Sequence, residues 1–244
     1  MDIAWYGHAA FRLRGRDAAV VLDPCPSSTG FRLGRPQAEI VTISSPAPAH
    51  SWYNGVGGEP MCLDAPGEHE IHNLLITSVV TNPPPAAPLP SADADDAAEP
   101  PDSTITDAAP AGPAPDASAA ADRNVAFVVT LDDIIVAHLG DLRAEPCTKA
   151  LEELSRADVL LVPVGGHGGL DARTAVTIVR SIDPRLVIPM HYKVGPETAT
   201  LDGVDAFLSA MGADAPREPD NHINVTRATL GEHTVVHVLA PRGD

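Results

Sequence analysis

Apolar and polar positions alternate, or apolar residues run unbroken, in a series of short segments that predicts the order of strands and helices along the chain. Residues 3–13 and 18–22 alternate as two antiparallel strands joined by Arg14-Gly15-Arg16-Asp17, with Asp23-Pro24 closing the second. Residues 39–43 and 71–80 supply further strands. Residues 125–130 and 134–138 form a pair across the short turn Leu131-Asp132-Asp133. A helix is expected over 145–156, with Leu151 and Leu154 on one face, and then a buried strand over 159–164. Asp171 is a suitable N-cap for a helix carrying Ala175, Ile178, Val179 and Ile182 on its apolar side. Residues 186–189 read as the next strand and 204–211 as a short helix. Residues 223–230 and 233–239 read as a closing hairpin turned at Gly231. Two strand-rich stretches, each followed by helices, predict an α/β fold of two sheets packed face to face with helices outside.

The periodicity fails between residues 81 and 122, which are almost wholly Pro, Ala, Asp, Ser and Thr. Such a segment has too little apolar surface to offset its ordering entropy, so it reads as a disordered insert in a single 244-residue domain. It also changes the charge picture. The formal net charge is −17, but Asp93, Asp95, Asp96, Glu99, Asp102, Asp107, Asp116 and Asp122 all lie in this stretch, leaving the rest only moderately acidic. Nucleic-acid grooves and anionic membrane surfaces select clustered Lys and Arg, so neither is expected as a partner. A tolerated surface insertion is the first reading of the insert, and a docking arm for a protein partner the second.

Cys25, Cys62 and Cys147 are odd in number and widely spaced, which indicates neither a disulfide framework nor a Cys-x-x-Cys metal knuckle. Residues 1–5 enter strand-like alternation without a basic or apolar leader, and no apolar run approaches the ~20 residues of a membrane span. A reduced, cytoplasmic location is the expectation.

Candidate chemistry lies where strands end. His50 comes seven residues after residue 43, Asp141 follows the 134–138 strand, and His191 follows the 186–189 strand. Imidazole and carboxylate donors suit zinc, and two His with one carboxylate also suit iron(II). On spacing alone such residues are more often solvated or hydrogen-bonded loop groups. His8 in Gly-His-Ala, and Glu68 and His69 in Glu-His-Glu, are pocket candidates. His167, in Gly165-Gly166-His167-Gly168-Gly169, is another, and His138 within its strand reads as a core or supporting residue. His222, His233 and His237 carry no expected role.

Gly7-His8-Ala9-Ala10-Phe11, Leu22-Asp23-Pro24, Pro66-Gly67-Glu68-His69-Glu70-Ile71, His138-Leu139-Gly140-Asp141, Pro163-Val164-Gly165-Gly166 and Pro189-Met190-His191-Tyr192 occur in this order. Together they resemble a subfamily of metallo-β-lactamase-fold hydrolases, over nearly all the chain outside the insert. The resemblance implies an αββα sandwich with an active site along one edge of the sheets. It also implies a loop of pattern H-x-H-x-D-H after residue 43, where this chain has Ser45, Ala47, Ala49 and His50. By that match every ligand of a first metal is gone, the third being expected where the insert lies. The second keeps His50, Asp141 and His191 and lacks only the carboxylate at Ala49.

The selective loss excludes a dinuclear centre, because a bridging water needs two ions. Three function readings follow. The first is a hydrolase homologue with a degraded site, holding one ion weakly or none, and of low activity. The second is an active mononuclear hydrolase of a small-molecule ester, lactone, amide or phosphoester, with zinc, manganese or iron on His50, Asp141 and His191. The third is a module binding a small ligand in the old pocket and a protein partner through the insert.

Overall fold

A computed structural model describes residues 1–71, 73–82, 123–216 and 218–242. The Pro/Ala/Asp-rich insert, expected over 81–122, falls outside the described residues except for Thr81 and Asn82. Thr81 belongs to the folded part. It is buried, its backbone N–H donates to Asn124 O at 3.1 Å, and its carbonyl accepts from the Cys147 N–H at 2.9 Å.

Thirteen strands are described. They are β1 (Asp2–Trp5), β2 (Phe11–Arg14), β3 (Ala19–Leu22), β4 (Ile40–Thr42), β5 (Met61–Leu63), β6 (Gly67–Ile71), β7 (Leu74–Val80), β8 (Val125–Leu131), β9 (Ile134–His138), β10 (Val159–Pro163), β11 (Leu186–Met190), β12 (His222–Asn224) and β13 (Val235–Val236). Six form one sheet in the order β12-β1-β2-β3-β4-β5, and seven form the other in the order β13-β11-β10-β9-β8-β7-β6. Trp5, Phe11, Leu13, Leu22 and Ile40 of the first sheet and Ile76, Phe127 and Val136 of the second are fully buried in one continuous core. The described helices are α1 (Thr148–Leu154), α2 (Ala172–Ile182) and α3 (Asp205–Met211); α1 and α2 pack on the seven-stranded sheet. α2 starts where Asp171 Oδ1 accepts from the Thr174 N–H at 2.8 Å, and it buries Ala175, Ile178, Val179 and Ile182. β10 and β11 are parallel, buried throughout and lack polar alternation, as a strand covered on both faces should.

The α/β sandwich of two sheets expected from the pattern and the resemblance is thus present, with two local corrections. The strand expected over 3–13 breaks into β1 and β2 around a tight turn, in which the Tyr6 N–H donates to Ala10 O at 2.8 Å. Gly7 (φ 94°) and His8 (φ 53°) are both left-handed there, and a Cβ on Gly7 would sit 2.3 Å from the Phe31 ring. The closing hairpin over 223–239 does not form. β12 pairs antiparallel with β1, and β13 pairs parallel with β11, so the two segments cap different sheets. Each sheet had an open edge strand with unpaired backbone groups, and alternation alone does not say which edge a segment satisfies.

The outer face of the six-stranded sheet is covered differently. Ala4, Tyr6, Ala10, Val21 and Val41 pack there against Cys25, Phe31, Leu33 and Val56, which come from irregular segments with 3-10 turns at Ser27–Thr29 and Tyr53–Gly55. Among the described residues no helix is long and apolar enough to cross a membrane.

Candidate metal centre

Three histidines from distant parts of the chain converge at the strand ends. One ring nitrogen from each of His8, His50 and His191 lies within 4.8 Å of the others. The His8 and His191 ring centroids are 4.1 Å apart, and His50 stands 4.8 Å from His8 and 5.4 Å from His191. All three are buried. The backbone builds this corner under constraint: His8 and His191 both adopt left-handed conformations (φ 53° and 51°), and the His191 N–H donates to His8 O at 3.0 Å. Trp5 Nε1 donates to the same carbonyl at 3.1 Å, and the buried His138 Nε2 bonds Ala9 O at 2.9 Å. His138 is therefore a prop for the turn that carries His8, in keeping with its expected core role. Its pKa falls because burial disfavours the cation despite the nearby Asp23 charge.

Carboxylates orient two of the rings. Asp23 Oδ2 accepts from His50 Nδ1 at 2.9 Å, and Glu197 Oε2 accepts from His8 Nδ1 at 3.0 Å; both acids are buried. With Nδ1 engaged, Nε2 is the nitrogen of each ring left to serve as a donor to an ion. His8 Nε2 is buried and has no hydrogen-bond partner among the described residues. Asp23 is itself locked, accepting from the Ser44 N–H at 2.8 Å and the Ser44 hydroxyl at 2.5 Å. Burial alone would raise its pKa, but the His50 hydrogen bond, the charges of His138 and His50 and the Ser44 hydroxyl together hold it below the ordinary value. Burial would likewise lower His50, and the bond and charge of Asp23 with the charge of Asp141 reverse that, so its pKa is raised. His191 goes the other way. Burial, with His8, His50 and Arg143 adding positive charge, holds its pKa well below the usual imidazole range.

Asp141 stands at the edge of this group rather than within it. Its Oδ1 is 3.9 Å from His50 Nε2, and its Oδ2 accepts from Arg143 Nη2 at 2.8 Å. Gly140 delivers it: the residue is left-handed (φ 61°), and a Cβ there would sit 2.2 Å from Ser44 Cβ. Asp141, Arg143, His167 and His191 line a cavity of about 350 Å³ with Gly166, Gly168 and Thr200. His167 is half-exposed on its wall and bonds Asp202 Oδ1 through Nε2 at 3.0 Å.

The structure therefore brings together His50, Asp141, His191, His8 and His167 from the sequence candidates. It does not bring Glu68 or His69. Both lie on the edge strand β6, where Glu68 is exposed and lines a separate cavity with Cys147 and Lys149, and His69 is half-buried on the opposite side. Ser45 is buried, and its Oγ accepts from the Ala47 N–H at 3.3 Å, a contact within its own loop. Tyr192, next to His191, is buried and stacks on Trp5 at 5.3 Å. Sequence reasoning gave no role to Asp23, Ser44, Arg143 or Glu197. Asp23 was detectable as an acid ending a strand, as Asp141 does. Glu197, 189 residues from His8, left no such signal.

A sandwich of two mixed sheets with a histidine and carboxylate cluster at its edge defines the metallo-β-lactamase class. Residues 2–191 match the Beta-lactamase superfamily domain, and the chain belongs to that superfamily. It is similar to a UPF0173 protein of Pyrococcus abyssi, 26% identical over 197 residues covering 79% of this chain and 83% of the relative. It is also similar to a UPF0173 metal-dependent hydrolase of Methanoculleus marisnigri, 29% identical over 198 residues covering 80% and 83%. Among solved structures it resembles a Thermotoga maritima protein classed with the Zn-dependent hydrolases of the metallo-β-lactamase superfamily. That match has a TM-score of 0.68 and 25% identity, and covers 98% of this chain and 99% of the other.

Proposed function

We propose that this protein is a hydrolase that works with one metal ion held by His8, His50 and His191, with Asp141 beside it. The observation that carries the reading is the convergence of one ring nitrogen from each of His8, His50 and His191 within 4.8 Å, with His8 Nε2 buried and without a hydrogen-bond partner among the described residues. Three protein donors with an open position is the usual count for a catalytic zinc, and manganese or iron would also suit a set with a carboxylate at its edge. His8 thus adds an imidazole beside His50, Asp141 and His191, the set whose match was short of the carboxylate at Ala49. A divalent ion bound there would acidify a water molecule and polarise a carbonyl or phosphoryl oxygen.

The residues around it have separable tasks. Asp23 and Glu197 fix the tautomer and tilt of His50 and His8. Asp141 is held through Oδ2 by Arg143, leaving Oδ1 to take the proton of the attacking water. His167, oriented by Asp202 on the cavity wall, is placed to return a proton to the leaving group. A cavity of about 350 Å³ suits a small ester, lactone, amide or phosphoester.

A second reading, a site of low activity left over from a dinuclear ancestor, is favoured by Ser45 and Ala47, which offer no imidazole for a second ion. Metal analysis of protein purified without chelators or a histidine tag separates the possibilities. About one equivalent of ion, lost in His50→Ala and His191→Ala, is expected. No bound metal, together with no thermal shift on adding zinc or manganese, would sink the one-metal site. One equivalent without turnover of ester, lactone, amide or phosphoester probes would favour the second reading.

A further inference from the structure

The outer face of the six-stranded sheet carries a further cavity, of about 470 Å³, that shares no lining residue with the one at Asp141 and His191. It is lined by Tyr6, Arg12, Arg32, Leu33, Gly34 and Arg242. Three arginines therefore line one concavity with no carboxylate among the described residues of its wall, in a chain with 33 acidic residues against 16 Lys and Arg. Strand geometry explains Arg12. Phe11 and Leu13 point into the core, so Arg12 between them points outward, and its cross-strand partner is the small Ala4. The loop over residues 24–38 supplies Arg32 and contains no Asp or Glu. Arg242 is held beside them because its backbone N–H donates to Trp5 O at 2.6 Å.

Arg12 Nε is buried and has no hydrogen-bond partner among the described residues, and none of the three arginines forms an ion pair there. A buried guanidinium N–H without an acceptor is costly, and three neighbouring cations repel one another; one oxyanion would remedy both. Asp2, on the same strand face, is not in the lining and lies 3.9 Å from His222. We propose that this cavity binds the phosphoryl group of a small molecule. A phosphoryl dianion matches three fork-shaped donors better than a carboxylate, which one bidentate arginine satisfies. The Tyr6 ring and Leu33 offer an apolar wall to whatever the phosphate is attached to.

Phenyl phosphate and benzoate are the probes, titrated by calorimetry into metal-free protein so that the histidine cluster holds no cation. Saturable binding of phenyl phosphate is expected, at least about tenfold tighter than benzoate and weakening with added salt. Arg32→Gln and Arg242→Gln change exposed side chains and should each weaken it by about tenfold while leaving the unfolding temperature unchanged. His191→Ala should leave it intact. Absence of saturable binding overturns the site, as does binding that survives both arginine changes but is lost in His191→Ala. Neither result touches the one-metal reading of the histidine cluster.

Discussion

The loop over residues 44–50 and the strand-end turns that carry His8 and His191 face the same corner of the sandwich but differ in what they bring to it. The loop contributes one imidazole, His50; Ser45 satisfies its own backbone, and Pro46 and Pro48 remove two amide donors. The turns contribute two imidazoles, one with a dedicated carboxylate, and hold both residues at left-handed backbone angles. Strain of this kind persists where surrounding structure over-determines it, as the shared His8 carbonyl does here by accepting from both Trp5 Nε1 and the His191 N–H. Most of the imidazoles in the cluster thus come from turns distant in sequence from the loop that carries His50.

The largest test of that contrast sets His8 against Asp141. His8→Ala should lower metal affinity by at least about 100-fold, whereas Asp141→Asn should lower it by less than about tenfold and reduce turnover far more. Titration with a competing chelator reads both, and equal losses of affinity would return Asp141 to the set of ligands. Next in size is Asp23→Asn, which keeps the shape but removes the charge behind His50. A drop of about 10–100-fold in metal affinity is expected by the same titration, with His50 still present. Gly140→Ala addresses how Asp141 is delivered. A methyl 2.2 Å from Ser44 Cβ on a left-handed backbone should cost about 2 kcal/mol or more in denaturant unfolding.

The smallest effect lies away from the site and serves as a control. Asp171→Ala removes the N-cap of α2 and should cost about 1 kcal/mol while leaving metal affinity alone. Its carboxylate is held below the ordinary value by the hydrogen bond from the Thr174 backbone. The cap therefore contributes fully above the unfolded carboxylate pKa and is lost as pH falls through the lower native one. The stability gap between parent and variant should close below about pH 4.

Much of this was legible along the chain. Buried strands such as β10 and β11 show as unbroken apolar runs, and α2 shows as a periodic stripe behind an Asp cap, because local burial writes itself into local pattern. The ends of strands pointed to His50, Asp141 and His191 for a related reason: a polar group in the loop that follows a buried run lies where the sheet opens. The break of residues 3–13 into two strands was hidden because Gly7 and His8 reverse the chain without interrupting its alternation. That break is what carries His8 into the cluster.

Chain order by itself determined the two-sheet sandwich and its superfamily, since the runs and motifs that carry both are made of residues close in sequence. Tertiary structure alone decided that His8 joins His50 and His191, that Glu197 backs His8 from 189 residues away, and that three arginines share one cavity. Contacts between distant segments depend on which sheet edge and which turn each segment meets, and a period of two or 3.6 residues carries no record of that.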